Sequence, residues 1–159
     1  MVQHKITPED ALSLSALAFD WADSFDTKDW GRLKSILAPE LDIDYSNLGG
    51  PKDGSMNADE FVEYVKGENM LGSDLIASQH ILGGYKFTWI SETVVEGAHQ
   101  VRAAHQRYTD SSRAEVKTKG HGQAVIYLKY KKVDDEWKLY GLKPIIYWSE
   151  HDLERLWAN

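Results

Sequence analysis

The apolar residues in the first part of the chain recur near the spacing of an amphipathic helix. Thr7 and Pro8 supply an N-cap and a first helical residue, and Asp10 is the acid expected three residues after the cap. The apolar positions that follow near helical spacing are Leu12, Leu14, Leu17, Ala18, Trp21 and Ala22. This pattern predicts a first helix over residues 8–25.

Shorter elements follow this helix. Apolar residues at helical spacing predict a second helix over 28–37, which stops before Pro39. The segment LDIDY at 41–45 alternates with period two and predicts a strand. A third helix is predicted to begin at Asn57 and to end near Gly67.

From about residue 75 onward the pattern changes to long alternating runs separated by short polar turns. Such runs predict an antiparallel meander, and a short helical piece at 151–157 follows them. Helices first and a strongly curved sheet afterwards indicate an α+β fold. We expect one domain over residues 1–159, in which the sheet wraps around the N-terminal helices as a cone-shaped barrel with an internal cavity.

Composition narrows the possible partners. The net charge of −7 argues against nucleic acid or an anionic membrane, and no run of residues reaches the length of a membrane span. The chain has no cysteine and no apolar leader, so we expect a cytoplasmic protein. Its 6 Trp and 8 Tyr outnumber its 4 Phe, which suits a pocket with apolar walls and polar handles for a small-molecule partner.

Two histidines fall on predicted strands among apolar and small residues. His80 has Ile81 and Leu82 beside it, and His105 shares a face with Val101 and Ala103. A single histidine in such a place is more often structural than catalytic. Two of them on one sheet can form an acid–base pair, because imidazole exchanges protons near neutral pH.

Two further side chains have either a structural or a chemical interpretation. Asp26 is either the N-cap of the second helix, with Asp29 as its returning partner, or a carboxylate that orients a catalytic histidine. Tyr45 is either a core residue or a hydroxyl that enters the cavity. The histidines and acids show no short metal-ligand spacing, and the sequence contains neither a glycine-rich phosphate loop nor a serine-centred elbow.

Several motifs in order resemble those of the fungal scytalone dehydratase family, which has the SnoaL-like and nuclear-transport-factor-like cone fold. They run from about residue 8 to 157 and read FDWADSFDTKDW, RLKSILAPELDIDY, SQHILGG, HQRY, KGH and GLKP followed by a tryptophan. The resemblance implies an enzyme that dehydrates a cyclic β-hydroxy ketone with no metal and no cofactor. It also implies a homotrimer.

The resemblance assigns roles to four residues. It implies that Asp26 hydrogen-bonds His105, which then acts as the general base, and that His80 is the second histidine of the site. Tyr45 matches a tyrosine that helps to polarise the substrate carbonyl through water.

The sequence departs from the family pattern at three positions that would bind substrate. Phe25 stands where the family has a second tyrosine, Ala124 where it has a serine, and Ile126 where it has an asparagine. Each departure removes a polar group, which predicts a more apolar pocket than scytalone requires. The other residues expected to line the pocket are Val101, Leu153 and Trp157.

The sequence therefore predicts a cofactor-independent lyase, or an isomerase, of fungal secondary metabolism that acts on an apolar, polyketide-derived cyclic hydroxy ketone. A cyclase or rearrangement catalyst that uses the same cavity is an alternative. A non-catalytic domain that binds small molecules is another.

Overall fold

The computed structural model describes residues 5–50 and 54–157, and its first helix begins where the sequence predicts. Helix α1 runs over Pro8–Thr27, with the Thr7 side chain accepting a hydrogen bond from the backbone of Asp10. It ends at Lys28, which has a left-handed backbone with a φ of 57°. The helix is thus two residues longer than predicted, so Asp26 lies in its last turn.

Helix α2 spans Trp30–Ile36, and its N-cap is Asp29, whose side chain accepts the backbone N–H of Arg32. The capping interpretation of Asp26 is therefore wrong. Because α1 continues through Thr27, the turn between the two helices is very short, and the capping position falls on Asp29.

Strand β1 spans Leu37–Ile43 and begins earlier than the predicted strand. It tolerates Pro39 because its pairing with the neighbouring strand β6 (Glu136–His151) is interrupted between Leu37 and Asp42. Tyr45 lies just beyond β1, before a 3₁₀ helix over Ser46–Leu48.

The third helix begins as the sequence predicts. Strand β2 spans Gly54–Asn57, and α3 spans Ala58–Val65. Asn57 caps α3 and forms a reciprocal capping box with Glu60.

The predicted meander is confirmed. The structure forms one curved, unclosed sheet of six strands in the order β2-β1-β6-β5-β4-β3, in which only the β1–β6 pair is parallel. Its long strands are β3 (Ile76–Trp89), β4 (Val94–Tyr108), β5 (Val116–Val133) and β6 (Glu136–His151). The C-terminal 3₁₀ helix, Leu153–Leu156, follows β6.

The packing of α1 on the sheet determines where the two candidate histidines lie. Helix α1 packs mainly against β3, an edge strand, and buries Leu14, Ala18, Trp21 and Phe25. Successive residues of β4 alternate between a buried inner face and an exposed or half-buried outer face. The inner face carries Val95, His99, Val101 and His105. Both histidines predicted to act lie on strands at this end of the sheet, β3 and β4.

Within the described part of the chain, we find no helix that is both long and apolar enough to cross a membrane.

Candidate active site

Asp26 and His80 form the most closely tied polar pair in the site. One carboxylate oxygen of Asp26 lies 2.6 Å from Nδ1 of His80, and the other accepts the backbone N–H of His80 at 2.7 Å. The two side chains are only 15% and 9% exposed. Both oxygens thus bind one residue, which fixes the position and the ring orientation of His80.

This pairing corrects the expectation that Asp26 holds His105. Helix α1 packs against β3, which carries His80, whereas His105 lies one strand further into the sheet on β4. The carboxylate at the end of α1 therefore meets the histidine of the edge strand.

His105 has a different partner, Ser78. The β3–β4 register places Ser78 opposite His105, and the Ser78 hydroxyl lies 2.7 Å from Nδ1 of the imidazole. The sequence analysis missed Ser78. The signal for it was its position two residues before His80, which puts both side chains on the same face of β3.

The two imidazole rings meet edge to face, with centroids 5.3 Å apart. Neither Nε2 atom makes a hydrogen bond to the part of the chain that the structure describes. Small residues lie next to the rings, because Ala103 pairs with His80 and Gly120 pairs with His105. The second ring nitrogen of each histidine is therefore unpaired among the described residues.

Burial, together with the charges of His80 and His121 when these are protonated, lowers the pKa of His105 to about 3. His105 is therefore a neutral imidazole at physiological pH. A second histidine, His99, is also buried; its pKa is lowered to about 4, and its Nε2 lies 3.1 Å from the Tyr130 hydroxyl.

Aromatic side chains enclose the two histidines. The rings of Phe25 and Trp21 both meet His80 edge to face, at centroid distances of 5.8 and 5.7 Å. Trp157 meets His105 edge to face at 5.4 Å. Phe25 is 4% exposed and has no hydroxyl, so an apolar ring stands beside His80.

The C-terminal 3₁₀ helix covers the His105 side of the site. A Cβ atom on Gly120 would lie 2.3 Å from Cα of Leu153, so this close approach requires glycine. The buried Arg107 donates a hydrogen bond from Nε to the carbonyl of Leu156 at 2.9 Å. These contacts hold Trp157 against His105.

A cleft of about 420 Å³ opens between α1 and β3 and reaches the Asp26–His80 pair. Its volume falls within the usual range for small-molecule sites, roughly 300–1,000 Å³. Its lining comprises Ser15, Ala18, Phe19, Ala22, Asp23, Asp26, Gln79, His80, Ile81, Leu82, Gly83, Tyr85 and His99. A larger depression of about 910 Å³ lies beside α3, and none of the candidate site residues lines it.

The six residues predicted to bind substrate lie outside the lining of this cleft. Three of them adjoin the histidines or their cover, namely Phe25, Leu153 and Trp157. The other three occupy the sheet, where Val101 pairs with Ala124 and Ile126 pairs with His99.

Tyr45 is buried, and burial together with the nearby Tyr64 raises the pKa of its hydroxyl. Its ring stacks on Phe61 and contacts Tyr64, at 6.3 and 6.2 Å between centroids. Among the described residues, the structure gives it neither a hydrogen bond nor a ring contact with His80 or His105. Tyr45 therefore lies in the core cluster beside α3 and not within the pair of histidines.

Residues 5–50 and 54–157 contain no group of three or more His, Asp or Glu side chains placed to hold a metal ion. The polar chemistry of the site thus lies in two imidazoles, one carboxylate and one hydroxyl.

A curved, mostly antiparallel sheet packed against an N-terminal helix is the architecture of the cone-fold class. The family model of scytalone dehydratase matches residues 5–159. The chain therefore belongs to the scytalone dehydratase family.

Individual relatives agree with this assignment. The chain is 45% identical over 154 residues to a scytalone dehydratase of Colletotrichum orbiculare, covering 97% of this chain and 82% of that protein. It is 44% identical over 151 residues to a scytalone dehydratase-like protein of Claviceps purpurea, covering 95% and 96%. The structure of a hexachlorocyclohexane dehydrochlorinase, LinA type 3 of Novosphingobium barchaimii, shares the fold with a TM-score of 0.69 at 16% identity, covering 91% of each chain.

Proposed function

We propose that this protein is a cofactor-independent hydro-lyase that removes water from a cyclic β-hydroxy ketone of polyketide origin. The observation that carries the proposal is the Asp26–His80 pair, whose two side chains line a cleft and in which Nε2 of His80 makes no hydrogen bond to the described residues. Family membership supports the reaction class, because the relatives named above include scytalone dehydratases.

His80 is the general base in this reaction. The Asp26 carboxylate accepts a hydrogen bond from Nδ1–H, so Nε2 carries the lone pair. Nε2 takes the proton from the carbon α to the ketone; the electrons of the C–H bond form a carbon–carbon double bond, and the π electrons of the carbonyl move to its oxygen, which gives an enolate. Asp26 stabilises the imidazolium that forms, as a carboxylate behind a histidine does in hydrolases.

His105 acts on the oxygen as a neutral imidazole and stabilises the enolate. The enolate then re-forms the ketone, the bond to the β-hydroxyl breaks, and the proton on Nε2 of His80 passes to the departing oxygen. Water leaves, His80 is neutral again, and the product is the unsaturated ketone. Each proton is thus accounted for without a cofactor.

The substrate has fewer hydroxyls than scytalone. Phe25 and Ile126 are 4% and 2% exposed, and neither they nor Ala124 can form a hydrogen bond with a substrate. These three residues lie outside the lining of the cleft, so this part of the proposal requires the substrate to reach beyond it, where apolar side chains favour hydrocarbon or aromatic carbon. Tyr45, as a neutral hydroxyl outside the histidine pair, is proposed to act on the carbonyl only through water.

Further parts of the proposal come from the resemblance and from composition. The resemblance supports a homotrimer, the absence of cysteine supports the cytoplasm, and the aromatic content supports a small-molecule partner. The net charge of −7 supports the exclusion of nucleic acid and anionic membranes.

The proposal is tested with purified protein and a panel of cyclic β-hydroxy ketones, including scytalone and less hydroxylated analogues. Mass spectrometry follows the loss of one water, with a chelator present and no cofactor added. We expect at least one analogue to be dehydrated, and His80→Ala to lose that activity. If analogues raise the melting temperature of the folded protein but none is converted, the chain is a binding domain and the proposal is wrong.

A further inference from the structure

We propose that Ser78 is a positioning residue that holds His105 in the tautomer with its proton on Nε2, so that His105 donates a hydrogen bond to the substrate carbonyl. This inference rests on the proposed dehydration and adds a residue that acts only through His105.

The sheet itself fixes the contact between these residues. Ser78 and His105 are direct partners in the β3–β4 register, and their side chains join at 2.7 Å. Both lie within long strands and not in a flexible loop. The hydroxyl therefore has a constant position relative to the imidazole.

Counting hydrogens indicates which tautomer is favoured. A neutral imidazole has one N–H, and a serine hydroxyl both donates and accepts. If Ser78 donates to Nδ1 of His105, one bond satisfies both the hydroxyl hydrogen and the ring lone pair. If Nδ1–H donates instead, the hydroxyl hydrogen needs another acceptor, and Ser78 Oγ makes no second hydrogen bond to the described residues. The first arrangement satisfies more groups, and it leaves the proton on Nε2.

The two neighbouring histidines are then held in opposite tautomers. Asp26 keeps the proton of His80 on Nδ1 and leaves a lone pair on Nε2. Burial keeps His105 uncharged by lowering its pKa to about 3, so that its Nε2–H is a neutral donor. A neutral imidazole can polarise a carbonyl and stabilise an enolate, which gives the site a base and a donor side by side.

Nitrogen-15 NMR of histidine-labelled protein tests the tautomer without any substrate. We expect His105 of the wild type to be protonated on Nε2 and His80 on Nδ1. Ser78→Ala should move His105 to a mixture of tautomers or to the Nδ1 form and leave His80 unchanged. Ser78→Thr, which keeps the hydroxyl, should behave as wild type, as should the control Thr88→Ala on the exposed face of β3.

Kinetics on a converted substrate supply the second readout. We expect Ser78→Ala to lower kcat by roughly 5- to 30-fold, the effect of one lost hydrogen bond. KM should change by less than about 3-fold, because the bond acts on the transition state. Ser78→Thr should restore most of kcat.

Wild-type His105 protonated on Nδ1 would overturn the inference, and so would a tautomer that Ser78→Ala leaves unchanged. If Ser78→Ala does not fold, the wild-type and Ser78→Thr spectra decide by themselves. If the tautomers are as expected but no hydroxy ketone is dehydrated, the positioning by Ser78 stands, and the proposed function, with the role of His105 in it, is wrong.

Discussion

Asp26 binds His80 through both of its carboxylate oxygens, one to Nδ1 at 2.6 Å and one to the backbone N–H at 2.7 Å. The second bond ties the last turn of α1 to the edge strand β3, and the first sets the tautomer of the ring. One side chain thus positions both the backbone and the imidazole of His80.

Replacing Asp26 with Asn should reduce turnover far more than it reduces stability. The two donors of His80 meet different oxygens of Asp26, and the amide replaces one of these oxygens with an NH₂ donor, so one of the two hydrogen bonds is lost. The ring is then free to carry its proton on Nε2, which removes the base. We expect kcat to fall by about 10²- to 10⁴-fold, the upper value being that of the corresponding change in a serine protease.

The matched control is Asp20→Asn on the same helix, where the side chain lies 3.8 Å from the guanidinium of Arg32. It should leave kcat within about 2-fold, since partly exposed ion pairs contribute little. Steady-state rates and thermal melts measure both variants. If the Asp26→Asn protein turns over normally, or loses activity only because it unfolds, the Asp26–His80 pair has no catalytic role.

Gly120→Ala should disturb the cover over His105. The new Cβ would lie 2.3 Å from Cα of Leu153, so the C-terminal 3₁₀ helix must shift and Trp157 must leave His105. We expect a lower melting temperature, changed tryptophan fluorescence and a higher KM.

Gly122→Ala is the control, because its nearest atoms would be at 3.6 and 3.9 Å, an ordinary contact distance. Its melting temperature should stay close to that of the wild type. Equal melting temperatures for the two variants would mean that the 3₁₀ helix does not need its close approach to Gly120.

Restoring the three family polar groups should shift the substrate preference. The triple change Phe25→Tyr, Ala124→Ser and Ile126→Asn should raise the dehydration of scytalone from a low base. It should also lower activity on the less hydroxylated substrate and lower stability, because each unpaired polar group buried costs about 1–3 kcal/mol. The comparison uses kcat/KM on both substrates and a thermal melt. Efficient turnover of scytalone by the wild type would mean that these three positions do not set specificity.

Mild acid should destabilise the protein through His99 and His105. Their pKa values are lowered from 6.5 to about 4 and about 3, so below pH 6.5 the unfolded chain binds more protons than the folded one. Stability should therefore fall as the pH drops from 6.5 towards 4. The pKa of the Asp44 carboxyl is lowered from 3.8 to about 2, so its protonation changes the stability only below about pH 3.8, outside this window.

Urea unfolding at about pH 7.5 and about pH 5 measures this effect. His99→Gln should reduce the difference between the two pH values, because it removes one of the two titrating groups. Stability that stays constant or rises on acidification would show that these histidines are not buried as neutral rings.

Local signals in the sequence were sufficient for the starts of the first and third helices. Each of these helices has a cap and a partner within one turn of each other, namely Thr7 with Asp10 and Asn57 with Glu60. The long alternating runs were likewise enough to predict the strands of the meander. These features depend on residues that are close in the chain.

The partners within the site could not be predicted in this way. Whether Asp26 meets His80 or His105 depends on which strand α1 packs against, and both histidines show the same local pattern. Ser78 becomes visible only through the β3–β4 register. The alternation of residues 41–45 predicts that Tyr45 belongs to a strand, yet β1 ends at Ile43, so the alternation does not fix the direction of the Tyr45 side chain.

The most direct test of the account compares kcat of His80→Gln and His105→Gln on a substrate that the wild type dehydrates. Glutamine can donate a hydrogen bond but cannot accept the α-proton, so it can replace a donor but not a base. We predict that His80→Gln loses about 10²- to 10⁴-fold, the usual contribution of general base catalysis, and that His105→Gln loses roughly 10-fold less. An inactive His105→Gln beside a largely active His80→Gln would contradict the assignment of His80, held by Asp26, as the base.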